Sequence, residues 1–135
     1  MYIARSGDGA SFGPPEKLGG ESWELNACPM DGGGLAVFHG SLVSAWRREG
    51  KVYVAEPGRS EVAVGEGKDV AVAAGARGPY IAWVAASGIE VRLPEPANII
   101  RVSEKGLYPT LTALGDGSVL AAWEEDGTIR THHLP

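Results

Sequence analysis

A single cysteine, Cys28, stands in 135 residues, so no internal disulfide can hold this chain together. The lone thiol also leaves the redox compartment open. Secretion or a periplasmic location is expected only if a parent protein supplies a signal peptide, because the first residues carry no apolar h-region. No apolar run approaches the roughly 20 residues that a membrane-spanning helix needs, so no membrane association is expected. Basic residues are scarce. Twelve Lys and Arg face seventeen Asp and Glu, for a net charge of −5. Arg47-Arg48 is the only adjacent basic pair, and nucleic acid is therefore not an expected partner. Aromatic residues make up only 7% of the chain, yet four of them are tryptophan, and three of those recur in one dipeptide.

Ala45-Trp46, Ala82-Trp83 and Ala122-Trp123 each close a short apolar run just before a glycine turn. The tryptophans are 37 and then 40 residues apart, a period that marks a repeated supersecondary unit. Glycine precedes each one (Gly40, Gly78, Gly117) and another follows (Gly50, Gly88, Gly127). Runs of four to seven apolar residues between such turns are strand-like and too short for ordinary helices. Val52, Tyr53 and Val54, then Ile89 and Val91, supply the β-branched and aromatic residues that a pleated surface favours. Each unit thus contains strands A, B and C, with a weaker strand D at Glu61–Val64 and Asn98–Val102. Twenty glycines and nine prolines fall at the turns of this pattern, so they do not imply disorder.

Four antiparallel strands repeating at this period predict an all-β chain of β-propeller blades, about three of them, in rings that close with roughly four to eight. Tyr2-Ile3-Ala4 matches Tyr53-Val54-Ala55, so the chain is expected to begin at strand C of a blade. The expected division is strands C and D over 1–26, blades over 27–66 and 67–104, and a blade lacking its last strand over 105–135. That makes one partial propeller domain, completed by further blades of a longer chain or by a homo-oligomer.

Ser6-Gly7-Asp8-Gly9-Ala10-Ser11-Phe12 resembles the Asp box of sialidase-like propellers, the bacterial neuraminidase repeat. Ser6, Asp8, Ser11 and Phe12 fill its Ser, Asp, Thr and aromatic places. Its spacing is one residue shorter here, and Ala10 replaces a glycine. The motif sits in the turn between strands C and D. There an Asp or Ser side chain bonds backbone N–H groups, and the aromatic is expected to plug the space between strands. The segment from Trp23 to Gly33 is also similar to a stretch common in such proteins. The resemblance implies the later half of a sialidase-like propeller, with a ring of six-bladed type. It also implies that the Asp box is structural and lies away from any active site.

The D–A and B–C loops share the face where a propeller's channel opens, and ligand residues are sought there. They supply Trp23, Asn26, Asp31, Arg47, Arg48, Asp69, Tyr108 and Glu124 as ligand-binding candidates, with Cys28 and Glu125 beside them. Trp23 can stack on a sugar or pack between blades. Cys28 has no histidine near it in sequence and reads as a small buried hydrophobe. Arg47 and Arg48 can grip a carboxylate, as the arginine cluster of sialidases does, or sit in an exposed turn with Glu49. Glu124-Glu125-Asp126 can supply a general acid or bind a cation, or form a solvated turn. Tyr108 is similar in kind to the sialidase tyrosine nucleophile, but no partner glutamate or other catalytic residue is assignable. His132-His133 point to opposite faces of a strand, with no third ligand. No metal and no cofactor are expected. The leading expectation is a binding or scaffold propeller, with a glycan or small molecule as ligand. The alternatives are part of an exo-sialidase-type glycoside hydrolase and a self-assembling half-propeller.

Overall fold

The computed structural model describes residues 1–24, 32–94 and 98–135. Every regular element among them is a strand. They are β1 (Tyr2–Ile3), β2 (Glu16–Lys17), β3 (Gly34–Phe38), β4 (Ser41–Arg48), β5 (Lys51–Ala55), β6 (Val62–Glu66) and β7 (Lys68–Gly75). The rest are β8 (Gly78–Ala85), β9 (Gly88–Arg92), β10 (Ile99–Ser103), β11 (Leu107–Ala113), β12 (Val119–Glu125) and β13 (Thr128–Leu134). They form four antiparallel sheets in chain order: β1-β2, β3 to β6, β7 to β10, and β11 to β13. This is the grouping of two, four, four and three strands that the tryptophan repeat predicts.

The turns follow from residue type. Glu49-Gly50 and Asp126-Gly127 both place two successive residues at positive φ, the type I′ geometry that matches the twist of a two-residue hairpin. Glycine takes the second position of each at no steric cost. The strands run further into the expected loops than the sequence indicates. Val62–Glu66 and Lys68–Gly75 leave only Gly67 between two sheets, and Arg47, Arg48, Asp69, Tyr108 and Glu124 all lie inside strands.

The first strands of successive sheets lie side by side, with β7 between β3 and β11. A backbone bond ties the last pair together, Ala76 N–H donating to the Gly117 carbonyl at 2.7 Å. Each repeated tryptophan packs onto the preceding sheet. Trp46 joins Ile3 and Leu18, Trp83 joins Ala45 and Val52, and Trp123 joins Val84, Ile89 and Val91. A glycine at the end of the preceding sheet makes room each time. A Cβ at Gly19, Gly65 or Gly106 would collide with the ring of Trp46, Trp83 or Trp123. The tryptophans are therefore packing residues, as their recurrence predicts.

Register puts Val52, Ile89 and Ile129 at one structural position, each opposite the residue after its tryptophan. Val52 and Ile89 are wholly buried under the next sheet, whereas Ile129 is 68% exposed. The inner strand of the second sheet, which faces only the two-stranded first sheet in chain order, also carries an exposed residue. Leu35 is exposed on β3, while Val72 and Leu111 at the matching positions of β7 and β11 pack into the core.

Candidate functional site

The meander sends the β4–β5, β8–β9 and β12–β13 turns to one end of the sheets, together with the β6–β7 and β10–β11 connections. Sequence reasoning placed a ligand face there. Trp23 and Arg47 meet, the guanidinium lying 5.5 Å from the centre of the indole ring. At that distance a cation is attracted by the ring's quadrupole. Asp69 and Tyr108 occupy matching places near the starts of β7 and β11. Both strands shift register there, and both residues sit at φ 54. This left-handed conformation is uncommon outside glycine; aspartate tolerates it, but it is strained for a bulky residue such as tyrosine. Tyr108 is 68% exposed on this bulge, and Asp69 lies 3.8 Å from Lys68. Asn26, Cys28 and Asp31 lie outside the described residues.

Other candidates at this end are committed to the fold. Arg48 is buried rather than exposed in a turn, and it grips a carboxylate of its own chain. Its two terminal nitrogens donate to Glu61 at 2.9 and 2.5 Å, and its plane lies 4.1 Å from the Tyr53 ring centre. Glu21 adds a looser contact at 3.6 Å. The bidentate bonds raise the Arg48 pKa and hold Glu61 below the usual carboxylate range. The acidic turn is neither a free acid nor simply solvated. Glu124 accepts from the Gly127 N–H, Asp126 pairs with Lys105, and Glu125 accepts from Ser103 and from the Trp123 ring N–H at 3.1 Å. The Ser103 hydroxyl, and then the indole, lower the Glu125 pKa. Among the described residues no cluster of three His, Cys, Asp or Glu side chains is arranged to hold a metal.

The Ser6–Phe12 turn joins β1 to β2 at the opposite end. Asp8 accepts from the N–H groups of Ala10 at 2.9 Å and Ser11 at 2.8 Å, and from the Ser6 hydroxyl at 2.9 Å. Ser6 in turn accepts from the Gly9 N–H. The Ser11 and Ala10 amides, with Ser6, lower the Asp8 pKa to about 2. Phe12 departs from expectation. It is 65% exposed and plugs nothing between strands.

A cavity that sequence reasoning missed also opens at this opposite end, between the second and third sheets. It encloses about 380 Å³, with Phe38, Val43 and Val54 on its apolar floor and Arg59, Arg77 and Arg92 among its walls. Its cause is visible in the repeat. Val43 and Tyr80 stand at the same place before their tryptophans. Between the third and fourth sheets Tyr80 fills the space, packed with Leu93, Val119 and Leu134, and its hydroxyl donates to the Pro135 carbonyl at 2.5 Å. Between the second and third sheets the smaller Val43 leaves the space open, and Glu56 stands where Leu93 does.

Comparison with known proteins adds nothing to this geometry: no family model, no curated protein and no solved structure matches the chain.

Proposed function

We propose that the chain is a segment of a sialidase-like β-propeller that acts as a binding domain, with its ligand face at the Trp23–Arg47 and Asp69–Tyr108 end. The observation that carries this reading is the repeated bulge. Neighbouring inner strands repeat one register shift that sets Asp69 and Tyr108 at φ 54; for the bulky Tyr108 that backbone is strained, and such strain gathers where a side chain must be aimed. An exposed tyrosine, a carboxylate and a stacked indole–guanidinium pair suit a polar ring ligand such as a glycan, which needs both stacking and hydrogen bonds. The Asp-box turn supports the sialidase-like kinship, and the sheet order supports the propeller. Binding is favoured over hydrolysis because Glu124, Glu125 and Asp126 are engaged in the fold.

Titration of the ¹⁵N-labelled chain with sialyllactose and with lactose tests the reading. Amide shifts at Asp69 and Tyr108, lost in Tyr108→Ala, are expected. Unshifted amides there with both sugars in the millimolar range would refute it.

A second reading, self-assembly, is favoured by the bare faces at Leu35 and Ile129. These positions are covered in every sheet that has a like neighbour, so a second copy supplies the matching surface. Sedimentation equilibrium decides this reading. It expects a concentration-dependent rise in mass that Ile129→Lys abolishes, and a strict monomer at high concentration excludes it.

A further inference from the structure

We infer that the cavity between the second and third sheets is a binding site for a small organic anion with an apolar body. It is distinct from the ligand face proposed above, since it opens at the other end of the sheets. Its volume of about 380 Å³ lies within the range of small-molecule sites. The floor is apolar: Val43, Val54 and Phe38 offer hydrocarbon and ring surface to a ligand body. The charged residues around it, among those described, are three arginines and one glutamate. Arginines thus outnumber carboxylates among the described residues that line it. Glu56 pairs with Arg59 at 3.4 Å across a single nitrogen. Guanidinium groups bind carboxylate or phosphate through paired N–H donors. The position is also built to be hollow. The same space one sheet further on is closed by Tyr80 and Leu93, and here Val43 and Glu56 stand in their places. An apolar body on the floor with its anionic group among the arginines satisfies both surfaces at once.

The test is a titration of the ¹⁵N-labelled full chain with 4-phenylbutyrate, and separately with its neutral amide. Expected are saturable shifts of the Val43, Val54 and Arg92 amides with the acid, and at least tenfold weaker binding of the amide. Val43→Tyr, which copies the filled cleft, is expected to abolish the shifts while keeping a folded spectrum. Arg92→Gln is the independent second variant and is expected to weaken the acid about tenfold without weakening the amide. Equal binding of acid and amide would overturn the inference, as would shifts confined to other residues, or no shift at about 10 mM ligand. Retained binding in folded Val43→Tyr, or unchanged affinity in Arg92→Gln should Val43→Tyr not fold, would also overturn it.

Discussion

Two clefts open at the same end of this molecule, one between the second and third sheets and the other between the third and fourth. They are built from the same repeat, yet one is hollow and the other is full. The difference comes down to a few equivalent positions. Tyr80 and Leu93 close the second cleft, and Val43 and Glu56 leave the first open. Conserving the tryptophan stack while varying the residues below it lets one scaffold carry a packed core and a vacant pocket side by side. The tryptophans hold the sheets together, so a hollow further down does not separate them.

The comparison is broken most severely by hollowing the full cleft. Tyr80 is 1% exposed, and its hydroxyl bonds the Pro135 carbonyl. Tyr80→Ala is expected to cost about 3–5 kcal/mol in urea unfolding, through lost transfer energy and the residual cavity. If the loss were below about 1 kcal/mol, the packing of the third sheet on the fourth would not be what stabilises this end.

The wall of the hollow cleft is held differently. The β5–β6 connection, which carries Glu56, Arg59 and Ser60 along the cavity, is anchored where Glu61 meets Arg48. Glu61→Gln removes the charge and is expected to cost about 2 kcal/mol, while leaving the Tyr80 cleft unaltered. The pair also sets an acid limit. Arg48 and its hydrogen bonds hold Glu61 below its ordinary pKa. Its contribution is therefore complete above the unfolded-state value, near 4.5, and is lost as pH falls through the lower folded value. Wild type is expected to lose stability over that range, and Glu61→Gln to lose less. Equal acid sensitivity in the two proteins would show that Glu61 does not carry the effect.

How much of this was legible in the sequence depends on how each feature is encoded. The sheets were readable because Ala-Trp recurs with its flanking glycines, and one pattern stated three times is hard to mistake. The hollow was not readable. A valine before Trp46 and a tyrosine before Trp83 are both acceptable strand residues, and only the register shows that they face equivalent spaces. The sequence leaves Arg48 open between gripping a carboxylate and an exposed turn, because its partner Glu61 lies in the β5–β6 connection and periodicity does not pair side chains across a sheet. Phe12 was assigned a packing role from its motif alone. The neighbouring strands that such a ring would plug are only two residues long here, and the ring is left in solvent. At the candidate site, sequence picked out Asp69 and Tyr108 by their place near inner strands. The positive φ of Tyr108 has no sequence signal, whereas Asp69 is of a residue type that tolerates it.

Filling the hollow sharpens the comparison from the other side. Val43→Tyr transplants the residue that already fits the neighbouring cleft, and a space of about 380 Å³ can take the added ring. Stability is expected to change by less than about 1 kcal/mol, because overpacking penalties arise only where no room exists. A loss of several kcal/mol would show that the two clefts differ in backbone shape and not only in their side chains.

The smallest effect concerns how the same connection is fixed in the first two sheets. In the second sheet a buried arginine grips a carboxylate at its end. In the first, Asp8 organises the turn entirely from the surface, accepting backbone N–H bonds from Ala10 and Ser11. Those bonds, with Ser6, hold its pKa at about 2, below the ordinary 3.8. The turn's order is therefore complete above pH 3.8 and is lost as pH falls through about 2. The amide signals of Ala10 and Ser11 are expected to titrate with a midpoint of about 2, and Asp8→Asn is expected to remove that titration. A midpoint near 3.8 would mean that the Asp8 bonds do not persist in solution. The first sheet would then lack this hydrogen-bonded connection, whereas the second would keep its buried Arg48–Glu61 pair.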